Sequence, residues 1–361
     1  MQSYNGSKYT PQGKPQPVVS KGEFYFAVVG IDHPHFYAMC DGLIVAGATL
    51  KWVYDPDPVK IKKFREVFPD VKVARAEQEV LQDPEVRLVM TDAIPSDRAA
   101  LGIRVMDHGK DFFSDKAAFT TLGQLELAKA KVAETGRKHA VYYGERIHVE
   151  SAVFAGQLIK DGAIGRVVQV INLAPHKLHL YGERPKWWFE KKKTGGIIVD
   201  IGSHQIDQFL FYAGCKDAKV LNSKVANYRF KQYEELEDFG DVTLLGDNGA
   251  TGYFRVDWLT PSGLGDVESG GDGRCFILGT EGYIELRKYT DIVRDKQRDH
   301  LYLVNQEGQY HLELYGKVGY PYFGELILDC LNKTENAMTQ EHAFKVSELS
   351  LIAQMQAVRV E

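Results

Sequence analysis

The stretch FYFAVVGIDHPH, Phe24 to His35, decides the fold. An apolar, aromatic and β-branched run ends on Gly30, and the residues from His35 to Ile44 carry a helical pattern. That order reads as a buried strand, a tight turn and a helix. Working outward, the alternation repeats. ATLKWVYD (Ala48 to Asp55) is the next strand, and Pro58 to Phe68 is an amphipathic helix whose proline suits a first helical position. VKVA, RLVMTDA and DFFSD follow as short strands, with helices over Ser96 to His108 and Leu122 to Thr135 between them, and AVYY (Ala140 to Tyr143) closes the series. Strands separated by helices predict βαβ units in a parallel, doubly wound sheet, a Rossmann domain over residues 22–146.

After Ile147 the rhythm changes. A helix from Val149 to Asp161 leads into VVQVINLA and then into the charged, aromatic loop HKLHLYGERPKWWFEKKKTGG. Beyond a further helix from Gly202, the segments KVLNSKVANY, DVTLLGD, TGYFRVDW, CFILGT and GYIEL succeed one another without helices, and a helical tail covers Phe323 to Leu331 and Glu341 to Arg359. Direct succession of strands predicts an α+β domain over residues 147–361 with a large, mostly antiparallel open sheet. The first 21 residues are polar and rich in Pro, Gly, Gln and Lys, and read as a flexible arm without the apolar segment of a signal peptide.

Composition narrows the function. A net charge of -5 gives no footing for nucleic acid or an anionic membrane surface, and no apolar run is long enough to cross a bilayer. Cys40, Cys215, Cys275 and Cys330 are far apart, which suits reduced thiols and a cytoplasmic protein rather than a disulfide frame or a zinc site.

Two segments carry candidate chemistry. In GGIIVDIGSHQID, Gly195 to Asp207, a helix beginning near Ile201 or Gly202 would set Asp200 and His204 on one face at i,i+4 spacing. A carboxylate beside an imidazole fixes its tautomer and prepares it to take a proton from an alcohol, although a helix cap plus a satisfied histidine would look the same. The turn Gly30 to His35 keeps only Gly30 of a GxGxxG fingerprint and places Asp32 near like charge, so the backbone cannot approach a pyrophosphate in the usual way. Asp55 ends the second strand where an acidic residue would bind the adenosine ribose, and its charge favours NAD over NADP. His33 and His35 with Asp32 could hold a metal, but no spacing supplies the remaining ligands, so no metal is assigned and both histidines are expected to face cofactor or substrate.

The chain resembles the Gfo/Idh/MocA family of nicotinamide-dependent sugar and polyol oxidoreductases, in matching pieces from Phe24 to about Val358. GKDFFSDKA (Gly109 to Ala117) is similar to the family's G-K…E-K-P motif, and Gly195 to His204 keeps its G-G-x-x-x-D-x-G-x-H motif. KDGAIGRV (Lys160 to Val167) and ILGTEGYIEL (Ile277 to Leu286) are similar to two further family segments. The resemblance implies catalytic roles for Lys116, Asp200 and His204, with His204 as base, and a cofactor site drawn from Gly30, Asp32, His33, His35, Asp55, Pro95, Asp115 and Lys116. Ala117 stands where the family has a cis-capable proline, so the Lys116–Ala117 peptide is expected to be trans. Arg98 stands where a histidine is common.

The substrate side is expected from Tyr143, Arg146, His176, His179, Trp188, Asp200 and His204, since aromatic faces with hydrogen-bonding groups suit a polyhydroxylated ring. The leading expectation is an NAD-dependent dehydrogenase of a sugar, cyclitol or glycoside. A redox-neutral lyase or glycoside-cleaving enzyme that uses bound NAD transiently, and a non-catalytic nucleotide-binding regulator, remain as alternatives. Apolar residues at both phases of TGYFRVDWL and VVQVINLA predict a sheet face covered by another copy, in a homodimer or homotetramer.

Overall fold

The computed structural model describes residues 9–179, 182–264, 271–294 and 297–360. They divide into two compact units, one of residues 15–142 with 321–347 and the other of residues 9–14, 143–320 and 348–360.

The first unit alternates as its sequence predicts: β1 (Tyr25–Ile31), α1 (His35–Val45), β2 (Thr49–Tyr54), α2 (Pro58–Val67), β3 (Lys72–Val73), α3 (Glu77–Leu81), β4 (Val86–Asp92), α4 (Pro95–Asp107), β5 (Asp111–Asp115), α5 (Leu122–Thr135) and β6 (His139–Tyr142). Only the short α3 lies outside the sequence expectation. The strands form one parallel sheet in the order β3-β2-β1-β4-β5-β6. The order reverses between β1 and β4, and open α/β sheets bind ligands outside the carboxyl ends of the strands at that point. β5 is buried along its whole length and β4 at all but one residue, because helices cover both faces of a parallel sheet. Local chemistry sets the helix ends. The Asp57 side chain accepts from the Val59 N–H ahead of Pro58, Thr121 accepts from Gln124 N–H, and Gly136 ends α5 in the left-handed region.

The second unit opens with α6 (Gly144–Ile147), α7 (Glu150–Lys160) and β7 (Val167–Pro175), followed by α8 (Lys191–Thr194), α9 (Ile197–Asp200) and α10 (Gly202–Ala213). Its remaining strands are β8 (Ala218–Ala226), β9 (Phe239–Gly246), β10 (Thr251–Asp257), β11 (Arg274–Gly279), β12 (Gly282–Arg287), β13 (His300–Asn305) and β14 (Gly308–Glu313). The chain ends in α11 (Pro321–Asn332), α12 (Gln340–Gln356) and β15 (Val358–Val360). Nine strands form one sheet in the order β14-β13-β12-β11-β7-β10-β9-β8-β15, antiparallel except where β7 meets β10 and β8 meets β15. Strict buried-then-intermediate alternation along β9 marks a sheet with one well-covered face.

Three expectations change here. The tail helix stops at Gln356 instead of running to Arg359, because Val358–Val360 pairs in parallel with the edge strand β8, whose backbone groups on that side would otherwise have no partner. Residues 321–347 group with the first unit, where Phe323 lies against Gly42, a position with no room for a Cβ, and Tyr322 packs near Phe113. The arm is not free along its described length. Tyr9 is buried, donates to Glu307 Oε2 at 3.0 Å and accepts from Asn305 Nδ2 at 2.9 Å, and the Val18 N–H donates to the Ala46 carbonyl. Residues 1–8 lie outside the described residues.

Candidate active site

At the carboxyl ends of β1, β4 and β5 the first unit gathers two buried carboxylates, a buried guanidinium and two imidazoles. Gly30 sits at φ 77°, and a Cβ there would come within 2.7 Å of the Ala93 Cβ, so the tight exit from β1 requires glycine. Asp92, the last residue of β4, accepts from the Phe36 N–H at 2.9 Å and so satisfies one of the open donors of the α1 N-terminus with the protein's own side chain. Arg98 Nη2 lies 2.9 Å from Asp92 and 3.4 Å from Asp115. His35 Nδ1 meets the two oxygens of Asp115 at 3.1 and 3.2 Å, and His33 Nδ1 lies 3.7 Å from Asp92 and 3.8 Å from Asp115. Burial pushes Asp92 well above the ordinary carboxylate range, and the adjacent Asp115 adds to the effect. Burial acts on Asp115 the same way, but His35, Arg98 and His33 outweigh it and hold that carboxyl well below the range.

The metal reading of the turn changes its members. The Asp32 carboxylate pairs with Lys60 at 2.6 Å. Donor atoms of His33, His35 and Asp115 do lie within 4.8 Å of one another. Arg98 already supplies positive charge to this cluster, which we read as an ion-paired group.

Asp55 is buried, and its oxygens accept from Ile31 N–H at 3.0 Å and Asp57 N–H at 2.8 Å. Lys60 stands 3.5 Å from it. A carboxylate has acceptor capacity for about four hydrogen bonds, so ribose hydroxyls still find sites there. The strand order, the obligatory Gly30 and Asp55 thus fit the adenosine half of a dinucleotide, while the phosphate end offers imidazoles where glycine backbone is usual. Pro95 stands in the first turn of α4. Lys116 is buried directly after β5, and the Lys116–Ala117 peptide is cis, contrary to expectation. The Lys116 and Ala117 carbonyls both accept from Arg98 Nη1, at 2.5 and 3.2 Å.

In the second unit Asp200 ends α9 and His204 lies in the first turn of α10, and both are buried. Gly195 and Gly196 adopt φ 88° and 96°, and a Cβ on Gly196 would come within 2.5 Å of Gln354 Oε1. That oxygen accepts from the Ile198 N–H, and Glu237 Oε2 accepts from the Ile197 N–H, so two distant side chains cap α9. Around α10, the Tyr143 ring lies 6.5 Å from that of His204, and His176 Nε2 faces Glu145 Oε1 at 3.7 Å. Trp188 is buried under the Arg184 guanidinium and beside Trp258. His179 is exposed near Phe230. Arg146 forms a buried bidentate pair with Asp207, at 2.6 and 2.8 Å, and its guanidinium covers Phe211.

Sequence reading missed Asp92 as a site residue, and with it Glu145, Glu237, Lys288 and Gln354. Glu145 Oε2 accepts from Gln205 at 2.7 Å and from the wholly buried Lys288 at 2.5 Å. Burial would raise the Glu145 carboxyl, but Lys288, His204 and His176 bring it down to about 2. Nothing in the local pattern around Lys288 marks it; only the sheet brings it to α6.

The sequence profile of the GFO/IDH/MocA C-terminal domain matches residues 153–285. The chain belongs to the Gfo/Idh/MocA family. The scyllo-inositol 2-dehydrogenase (NAD(+)) of Bacillus subtilis is 27% identical over 246 residues, 66% of this chain and 66% of that protein. The D-xylose dehydrogenase of Paenarthrobacter nicotinovorans is 24% identical over 57% of this chain and 54% of its own length. Each of these matches spans less than two thirds of the relative. A crystal structure from Erwinia carotovora atroseptica SCRI1043 superposes with a TM-score of 0.90 at 48% identity, covering 94% of this chain and 100% of that one. No helix among the described residues of this family member is long and apolar enough to cross a membrane.

Proposed function

We propose that this chain is an NAD-dependent oxidoreductase that moves a hydride between a secondary alcohol of a sugar, cyclitol or glycoside and the nicotinamide. The observation that carries the reading is the Asp200–His204 motif, buried at the α9–α10 junction on a backbone that two left-handed glycines and two distant caps define. The names of the scyllo-inositol and xylose dehydrogenases support the same class of substrate. In this reading the unit of residues 15–142 with 321–347 carries the cofactor, and the other unit carries the substrate and self-association.

When bound, NAD supplies the hydride acceptor. Asp55 takes the adenosine ribose, and Gly30, Pro95 and Asp115 shape the cleft. His33 and His35 contact the cofactor beyond the ribose. His204 accepts the hydroxyl proton at an imidazole nitrogen, Asp200 orients the imidazole or the substrate, and Lys116 donates to the substrate oxygen and lowers its pKa. Tyr143, His176, His179 and Trp188 line the substrate side. Purified protein incubated with NAD and a panel of cyclitols, aldoses and glycosides tests this. NADH absorbance growing with one of them is the expected result, and product without net NADH would turn the reading to a redox-neutral cycle.

Self-association belongs to the same proposal. Leu221 on β8, Tyr253 on β10 and Leu278 on β11 leave 56%, 36% and 36% of their surface exposed on the open sheet. A homodimer or homotetramer that covers them should appear by light scattering, and a mass near the 40.7 kDa of one chain would refute it.

A further inference from the structure

Glu145 is a carboxylate whose two oxygens do different things. It stands on the one-turn α6 and leaves only 5% of its surface exposed. Oε2 is saturated by the Lys288 ammonium and by Gln205, the residue next to His204 on α10. Oε1 is buried and has no hydrogen-bond partner among the described residues, and the nearest ionisable atom recorded for it is His176 Nε2 at 3.7 Å. The other ring nitrogen of His176 faces the Ala174 carbonyl at 3.1 Å. A carbonyl only accepts, so Nδ1 carries a proton, and Nε2 can approach a carboxylate favourably only when it carries one too.

We propose that Glu145 is a positioning residue for the His204 site: it holds the first turns of α10 through Gln205 and Gln208, and its fixed negative charge favours the protonated forms of His176 and His204. An ionised carboxylate without its own partner would be costly at this depth, and Lys288, which has no exposed surface, is the partner that keeps it charged. The remaining ionisable groups around it do not compete. Burial first, and then the Glu145 charge, push the Cys275 thiol up to about 12 from the neighbouring strand, so it stays neutral. The Tyr212 phenol on α10 is likewise pushed far up by burial, and Arg146 and Asp207 cancel each other's charge. The two imidazoles are therefore what Glu145 acts on. A proton accepted by His204 gains a nearby counter-charge that Asp200 alone does not have to supply.

The inference rests on the reading of His204 as base, so the test includes a readout that needs no turnover. Imidazole NMR titrations of His204 and His176 are compared in wild type and Glu145→Gln, an isosteric change that removes the charge. Both titrations should move to lower pH by roughly one unit, a tenfold loss of proton affinity. The acidic limb of kcat/KM for alcohol oxidation, where His204 becomes protonated, should move by the same amount and in the same direction, with the Kd for NAD unchanged. Glu145→Gln leaves Lys288 buried without its partner, so the double variant Glu145→Gln/Lys288→Met is measured beside it and should show a smaller displacement in the same direction, because the Lys288 charge that also disfavours imidazolium is gone. Glu145→Asp should restore most of it. Unmoved His204 and His176 titrations in a folded variant overturn the proposal, whatever happens to turnover. Moved titrations with an unmoved kinetic limb would keep Glu145's effect on the imidazoles but refute His204 as base.

Discussion

At Gly195–His204 the second unit builds its motif from backbone: two glycines at positive φ, two short helices and caps donated by Glu237 and Gln354. At Gly30–His35 the first unit uses one such glycine and then side chains, with Asp92, Asp115, Arg98, His33 and His35 converging from three strand ends and the helices that follow them. The difference shows in the sequence. A backbone-built site needs particular residues at fixed spacing and reads as a motif, whereas a charge cluster assembled from distant strand ends has no spacing to read.

The backbone-built motif is broken most severely at its histidine. His204→Ala should lower turnover by about 10²–10⁴-fold, the usual worth of a positioned general base, while the Kd for NAD holds. A loss of less than tenfold would take the base assignment away from this motif.

The charge cluster is broken at Arg98. Replacing it with Met leaves two buried carboxylates at close quarters and should destabilise the protein by about 3–5 kcal/mol, the usual cost of removing one partner of a buried pair. Urea denaturation measures it, and a change below about 1 kcal/mol would mean the cluster is not held by charge.

Acid should separate the two units. His139 in the first unit is buried among Phe112, Phe119 and Phe344, and burial lowers its pKa to about 4. The unfolded chain takes up that proton from pH 6.5 downward while the folded one does not, so stability falls with pH from 6.5 towards 4. At pH 4.5 the loss should be roughly 2–3 kcal/mol relative to pH 7, given about 1.4 kcal/mol per pKa unit. Glu145 in the second unit is depressed to about 2 from 4.5, so its contribution goes only as pH falls below 4.5. Hydrogen exchange should therefore lose protection in the first unit at higher pH, and His139→Leu should flatten that acid dependence. Simultaneous loss in both units, unchanged in the variant, would remove the distinction.

The smallest effect concerns nucleotide choice. Asp55→Ala should weaken NAD and narrow its preference over NADP by about tenfold, through lost ribose hydrogen bonds and lost repulsion of the 2′-phosphate. Lys60 already offsets part of that repulsion, so Lys60→Met should widen the preference instead. Paired dissociation constants decide, and an unchanged ratio in both would place the adenosine ribose elsewhere.

The sequence by itself determined the alternation of strands and helices in the first unit, the succession of strands in the second, and the Asp200–His204 motif. Each is written in local periodicity or in a fixed spacing, which backbone geometry converts directly into structure. It also named Asp55, since an acidic residue at the end of the second strand follows from strand order. Only the tertiary structure decided that Asp32 turns to Lys60, that Arg146 pairs with Asp207, and that the Lys116–Ala117 peptide is cis with both carbonyls on Arg98. It alone brought Lys288 and Gln354 to the motif from 84 and 150 residues away, counting from His204. Buried charges settle by desolvation and by whichever partner the packed fold brings near, and neither quantity is a property of the neighbouring sequence.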